Sequence, residues 1–147
     1  EVIRMSSREK ALLLRAFSEW AHEHRLSAHL QDAQFHGLFR DAPVEIDTGI
    51  RDGDLDNVVA TIFVACGHGT MVIRDAEARA EDAPLVSRLR DVMRSAPSVL
   101  SIRLDDATIT IRLRPGSGPV ETGEVLDAVL SAVHACSAAG PLGLSST

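Results

Sequence analysis

Residues 58–73 contain two runs of apolar and β-branched side chains on either side of a glycine-bracketed reversal at His68. The first run covers residues 58–66 without a charge, and the second covers residues 70–73. Short apolar runs that are separated by turn residues are typical of hairpin strands buried on at least one face. We therefore predict that residues 58–73 form the central hairpin of a sheet.

Two further hairpins are indicated by strict alternation of apolar and polar side chains. Residues 100–104 and 109–113 alternate on either side of the acidic turn at residues 105–106, and residues 35–39 and 44–46 do so around a proline-containing turn. A period of two indicates a strand with one buried and one solvated face. The pattern thus predicts about six strands in all.

The first helix begins with a capping box, in which Ser6 is the N-cap and Glu9 follows three residues later. Apolar residues then recur at helical spacing on one side. This predicted core face consists of Leu13, Phe17, Trp20 and Ala21. We expect the helix to end at about His24 or Arg25.

Two more helices are predicted by apolar stripes between proline and glycine signals. The second begins near Pro84, which needs no N–H in a first turn, and is stopped by the sequence at residues 95–97. The third begins around Thr122 and ends at Gly140, where a glycine–proline pair breaks the pattern. Both helices therefore have one apolar side to place on the sheet.

The order of elements is α-ββ-ββ-α-ββ-α. Short connections favour pairing between neighbouring strands, so the sequence predicts an α+β fold in two layers, with three helices on one face of an antiparallel sheet. A chain of 147 residues is long enough for one hydrophobic core. We predict a single domain at residues 1–140 and a flexible tail at residues 141–147.

Charge and aromatic content exclude one class of function. The chain has a formal net charge of −6 and only 3% aromatic residues. Phosphate backbones require basic surfaces, and unstacked bases favour exposed aromatic rings. We therefore expect no nucleic-acid partner.

The chain has no apolar run near the roughly 18 residues that cross a bilayer, and no signal-peptide pattern. The two cysteines, Cys66 and Cys136, are far apart in sequence without a disulfide framework, which is typical of the cytoplasm. We predict a cytoplasmic protein without a membrane span. Because the chain starts at Glu1 and its first methionine is Met5, residues 1–4 are either a tag remnant or a sign of a longer protein.

Candidate metal ligands lack the spacing that a metal site needs. Cys66 and His68 could face the same way on a strand, but His134 and Cys136 would diverge by about 200° on a helix, where ligand pairs are spaced by three or four. The acidic loop at residues 52–57 begins like a calcium loop but lacks its glycine and its final glutamate. We therefore predict no metal, no cofactor and no catalytic residue.

The order of elements resembles that of the class I chaperones of type III secretion systems and of similar small bacterial α+β regulatory domains. The small size, the acidity and the block from the second helix through residues 98–113 to the apolar face at residues 125–133 carry this resemblance. It implies a cytoplasmic homodimer that holds an unfolded stretch of a secreted effector. The chain departs from the chaperone pattern in its extra hairpin at residues 35–46 and its few aromatic side chains.

We therefore expect a non-enzymatic protein-interaction domain, chaperone-like or an adaptor, that acts as a homodimer on a partner polypeptide. An exposed sheet face or edge would bind an extended segment by strand addition, with apolar pockets for its side chains. The residues predicted to bind the partner are apolar side chains that the pattern places at the periphery: Phe35, Leu38, Phe39, Val125 and Val129.

Two other functions stay open at this point. A ligand-binding or catalytic module would use His68, Cys66 and the loop from Asp52 to Asp56, provided that these groups meet in one pocket. Shared chemistry requires hydrogen-bond reach, so their separation decides this alternative. The chain could instead be the soluble part of a membrane-anchored protein whose anchor precedes Glu1.

Overall fold

A computed structural model describes residues 4–139 of the chain. Its fold is α+β, with three α-helices and an antiparallel sheet of seven strands, which confirms the predicted class. The elements are α1 (Ser7–Glu23), β1 (Ser27–His29), a 3₁₀ turn (Leu30–Asp32), β2 (Gln34–Phe39), β3 (Ala42–Asp47), β4 (Val58–Phe63), β5 (Met71–Ile73), α2 (Pro84–Ser95), β6 (Val99–Leu104), β7 (Thr108–Leu113) and α3 (Pro119–Ala139).

The strands lie in the order β1-β2-β3-β4-β7-β6-β5, and every neighbouring pair is antiparallel. Every second side chain of the long strands is buried with the apolar sides of the helices in one hydrophobic cluster. The other side chains of these strands lie on the opposite face, which none of the helices in the described part of the chain covers. The apolar side chains without exposed surface form the centre of the core: Phe17, Val58, Ile62, Leu89, Ile102, Leu104, Ile109, Ile111, Leu113, Leu126 and Val129.

The predicted central hairpin at residues 58–73 is wrong. β4 pairs with β3 and β7, whereas β5 pairs with β6 at the edge of the sheet. After β4 the chain follows the tip of the β6–β7 hairpin, where the N–H of Val64 donates to Ala107 O (3.0 Å) and that of Cys66 donates to Asp106 O (3.3 Å). The β6–β7 hairpin thus lies between the two strands, because the connection between them passes round its tip.

Other boundaries also differ from the sequence pattern. β1 (Ser27–His29) was not predicted, since all its side chains are exposed and it carries no apolar alternation. α3 begins at Pro119 rather than Thr122, which agrees with the preference of proline for a first helical turn. The predicted helix end at Gly140 and the predicted tail at residues 141–147 lie outside the described residues.

The capping box of α1 is confirmed. The N–H of Glu9 donates to Ser6 Oγ (3.1 Å), and the N–H of Ser6 donates to Glu9 Oε1 (2.9 Å). These bonds stabilise the charged carboxylate, so the pKa of Glu9 lies below its ordinary value. Within residues 4–139, no helix combines the length and the apolarity that a membrane span requires.

A buried ion pair joins α2 to the loop that precedes it. The side chains of Arg90 and Asp82 are only 2% and 4% exposed. Arg90 donates from Nε to Asp82 Oδ2 (2.7 Å) and from Nη1 to the carbonyl oxygen of Asp75 (2.9 Å). The guanidinium holds the pKa of Asp82 below its ordinary value, and the carboxylate raises the pKa of Arg90.

Candidate partner-binding surface

The structure buries four of the five side chains that the sequence assigned to partner binding. Phe35, Phe39, Val125 and Val129 all belong to the hydrophobic core, whereas Leu38 is 60% exposed. These four side chains are therefore at most 7% exposed on this single chain, although Phe39 and Val125 still border depressions at the surface. Leu38 alone keeps the accessibility on which that prediction depends.

The burial of the first hairpin follows from the position of α1. Phe17 stacks on Phe35 with ring centroids 6.2 Å apart, and Trp20 stacks on Phe39 at 5.9 Å. The two α1 side chains are three residues apart and so lie on the same side of the helix. The hairpin that the sequence pattern placed at the periphery is thus covered by α1 on its aromatic face.

The residues of the alternative ligand or catalytic site do not meet. The loop from Asp52 to Asp56 precedes β4, and Cys66 and His68 follow its other end. Six strand residues span about 16 Å, which is far beyond hydrogen-bond reach. The thiol of Cys66 instead donates to the carbonyl oxygen of Asp105 (2.9 Å) and so holds the connecting segment against the β6–β7 turn.

The exposed apolar surface lies around the first turns of α3. Val120 is 69% exposed, and it borders a depression of about 370 Å³ together with Leu38. α1, β2 and α3 all contribute to this depression. Its lining consists of Trp20, His24, Leu38, Phe39, Arg40, Val120, Gly123, Glu124 and Asp127.

An aromatic cluster lines this depression. The rings of Trp20 and His24 are 4.6 Å apart, and the ring of Phe39 lies 5.9 Å from Trp20 and 5.4 Å from His24. His24 is fixed by a hydrogen bond between its Nδ1 and the carbonyl oxygen of Trp20 (2.9 Å). A partner side chain would therefore meet the exposed rim of a packed aromatic cluster, a feature that favours tight contacts.

Gly123 allows α3 to approach this cluster closely. A Cβ atom at this position would lie 3.0 Å from Cζ2 and 3.1 Å from Nε1 of Trp20. A larger side chain would push α3 away from α1 or displace the indole. The glycine therefore sets the width of the depression between the two helices.

A second depression, of about 580 Å³, lies on the other side of α3 against the end of α2. Val92 and Val125 contribute apolar side chains to it, so Val125 borders a concave surface although it is itself buried. The hydroxyl oxygen of Ser98, which also lines it, is buried and has no hydrogen-bond partner among residues 4–139. A buried polar atom without a partner is uncommon, and a ligand or partner could satisfy it.

The charges around the two depressions are negative. Among the described residues, neither Glu121 nor Glu124 forms an ion pair, and Glu124 lines both depressions. The cation of the first depression, Arg40, is already held by Asp127 Oδ1 (2.7 Å) and the hydroxyl of Ser131 (3.1 Å). The surface therefore has carboxylate charge that the described part of the chain does not neutralise.

The importance of Val120 was missed because the sequence pattern started α3 at Thr122. A helix from Pro119 turns by about 100° per residue, which places Val120 roughly opposite the apolar stripe of α3. A valine on the polar side of an amphipathic helix is a signal that was available once the helix start was known. The contribution of Trp20 had no such signal, since its spacing is that of a core residue.

The open face of the sheet carries an apolar row at one end. Leu38 lies opposite Pro43, and Phe63 lies opposite Thr108. The register of β3 and β4, continued by one residue, places Pro43 beside Phe63. Leu38, Pro43 and Phe63 are all exposed, so neighbouring strands present one continuous apolar row.

The other end of the open face is polar. His29 and His36 face each other with ring centroids 4.9 Å apart in a depression of about 430 Å³ that Glu45 also lines. Nδ1 of His36 is buried and has no partner within the described residues. No set of three or more histidine, cysteine, aspartate or glutamate side chains between residues 4 and 139 is arranged to hold a metal ion.

Comparison with known proteins identifies a likeness of fold. No family model matches the chain, and no curated protein matches its sequence. The crystal structure of the mycobacterial trehalose monomycolate transport factor A, TtfA, superposes with a TM-score of 0.57 at 13% sequence identity, over 84% of this chain and 94% of that one. At this identity the likeness supports the α+β fold alone.

Proposed function

We propose that this protein is a non-enzymatic interaction domain, chaperone-like or an adaptor, that binds an extended segment of a partner polypeptide. The observation that carries the proposal is the apolar surface at which Leu38 and Val120 border the aromatic cluster of Trp20 and Phe39. Exposed apolar side chains beside an ordered aromatic cavity are characteristic of protein-binding surfaces. The fold neighbour is named a transport factor, which is compatible with a role exercised through binding.

The free edge of β2 supports strand addition as the mode of binding. β1 pairs with β2 only at residues Gln34, Phe35 and His36, and thus leaves the edge at Leu38 without a described strand.

The hydrogen-bond pattern indicates which way the backbone of Leu38 faces. The N–H of Val64 donates to the carbonyl oxygen of Ala107. The backbone N–H and C=O groups of even-numbered β4 residues therefore point to β7, and those of odd-numbered β4 residues point to β3. Odd-numbered residues of β3, such as Glu45, lie opposite odd-numbered residues of β4, such as Thr61, so the backbone groups of even-numbered β3 residues point to β2. These residues lie opposite odd-numbered residues of β2, and the backbone groups of even-numbered β2 residues therefore point away from β3. The N–H and C=O of Leu38 would accordingly point toward this edge, where the connection at Arg25 and Leu26 passes close to Gly37.

A display library of random twelve-residue peptides, selected on the purified chain, tests the proposal. We expect the selected peptides to lose at least tenfold in affinity when Leu38→Asp or Val120→Asp is introduced. Leu12→Asp is the matched control, because Leu12 is 54% exposed on α1 and lines neither depression. Circular dichroism verifies that each variant is folded. Failure to select any binder, or equal losses in all three variants, contradicts the proposal.

Homodimerisation is the second component of the proposal, and the apolar row on the open sheet face supports it. Two copies that face each other would bury Pro43 and Phe63 of this row, as an isologous interface requires. Sedimentation should give twice the mass of the chain, and Phe63→Lys should return the mass of one chain. A single-chain mass at every concentration contradicts this component while peptide selection still tests the other.

A cytoplasmic location is also proposed, and the two cysteines support it because Cys66 and Cys136 are both free. Thiol-reactive labelling after rapid lysis should modify both residues without prior reduction. Labelling that appears only after reduction contradicts a reducing location.

A further inference from the structure

We propose that the partner segment is basic as well as apolar, and that it lies across the first turns of α3 with a lysine or arginine against Glu121 and Glu124. This inference rests on the proposed function, because it names the chemistry of the polypeptide that the same surface binds. The acidic surface is defined here as Glu121, Glu124 and the two depressions that flank them.

The charges of the acidic surface are not balanced by the described chain. Arg40 donates a hydrogen bond from Nη1 to Asp127 Oδ1, and Arg94 donates one from Nη1 to Asp91 Oδ1 (2.5 Å). Among the residues that line the second depression there is no lysine or arginine. A basic side chain from outside is thus the natural counter-charge for the two unpaired glutamates.

The preference of helix N-termini for carboxylates explains only part of this arrangement. Glu121 lies in the first turn of α3 and interacts favourably with the helix dipole. That effect requires no concave surface, yet Glu124 lies between two depressions. The first has an aromatic wall, and the second contains the buried hydroxyl of Ser98, which has no hydrogen-bond partner in the described part of the chain. The combination of apolar cavities with an uncompensated charge between them is typical of recognition rather than of helix stability.

The charge also selects against other occupants. A second copy of the chain would bring a surface of the same sign, and like charges that face each other suppress association. This repulsion applies to the acidic surface and not to the open face of the sheet. The net charge of −6 on the whole chain likewise favours a basic partner at the acidic surface.

The spacing of the two depressions defines the segment more closely. An α-helix is about 10 Å wide with its side chains, so apolar anchors on either side of α3 are about 10 Å apart. An extended chain covers this distance in about three residues. The expected motif is therefore two apolar residues about three positions apart, with a lysine or arginine between them to meet Glu124.

The peptide library described above also tests this inference. We expect lysine or arginine to be enriched between two apolar positions, and we expect the affinity to fall as the salt concentration rises, because the ion pairs are solvent-exposed. The double variant Glu121→Lys/Glu124→Lys should weaken binding by roughly tenfold, as two rim charges change sign.

The control variant is Glu77→Lys/Glu81→Lys, which changes the net charge by the same amount in a loop whose residues line neither depression. It should leave the affinity within about twofold. Peptides that bind through Leu38 and Val120 but show no basic enrichment, or equal losses in the two double variants, overturn this inference and leave the proposed function standing. If the library contains no binder, the proposed function fails and this inference fails with it.

Discussion

Two groups of carboxylates lie on either side of α2, and their surroundings are opposite. Asp75 and Asp82 meet the guanidinium of Arg90 in a site where the arginine and Asp82 are almost completely buried. Glu121 and Glu124 lie at the start of α3, next to apolar depressions, without an ion-pair partner among the described residues. The first group is neutralised within the fold, whereas the second presents its charge outward.

This difference in burial indicates which carboxylates stabilise the fold and which are available to a partner. A buried charge must be paired, because an unpaired ion in the interior loses its hydration without compensation. An exposed carboxylate costs the fold little, so its position is free to serve a partner. The comparison can be tested by removing charges from each group in turn.

Replacement of Arg90 by methionine should have the largest effect. The variant leaves Asp82 buried without its counter-charge, and we expect the melting temperature to fall by roughly 10 °C. Differential scanning calorimetry measures this change. Arg88→Met in the same helix is the control, since Arg88 is exposed and forms no ion pair in the described part of the chain. Equal melting temperatures for the two variants would show that the buried pair is not structural.

Acid should act through the same site. Arg90 holds the pKa of Asp82 below its ordinary value, so the stabilisation is complete above the ordinary aspartate pKa and is lost as the pH falls through the lowered one. Urea denaturation between about pH 5 and pH 2 should therefore show a smaller loss of stability for Asp82→Asn than for the unmodified chain. An identical slope in both proteins would argue against this pair as a source of acid sensitivity.

Arg40→Met is an intermediate case, because Arg40 and Asp127 form a pair that is partly exposed. Solvent screening limits the loss in the free energy of unfolding to less than about 1 kcal/mol. The same change leaves Asp127 without its partner and so adds a carboxylate to the acidic surface. Titration with a basic library peptide should accordingly show tighter binding, and weaker binding would mean that Arg40 itself contacts the segment.

The double variant Glu121→Gln/Glu124→Gln should have the smallest effect on folding. We expect the free energy of unfolding to change by less than about 0.5 kcal/mol, because both side chains are at a helix surface. Affinity for a basic peptide should fall even so. Chemical denaturation and peptide titration on the same sample separate the two effects, and a large loss of stability would assign these residues to the fold instead.

Sequence periodicity predicted the elements well but not their arrangement. The hairpin at residues 100–113 and the capping box at Ser6 depend on neighbours in the chain, and both form as predicted. Leu100 is the exception, because a bulge between Val99 and Ser101 turns it out of the core. The pairing of β4 with β7 depends on segments about 50 residues apart, so the apolar run at residues 58–73 could not reveal that another hairpin lies between its two halves. The same limit applies to Phe35, whose burial depends on α1.

The amino-acid sequence by itself determined the α+β class, the three helices, the alternating strands and the negative charge, because propensity, capping and periodicity act over a few residues. Only the tertiary structure decided the order of the strands and brought Trp20, Leu38 and Val120 to one surface. Exposure is a property of what covers a side chain, and that cover comes from distant parts of the chain. Val129 and Leu38 are both apolar, yet packing buries the first and leaves the second open to a partner.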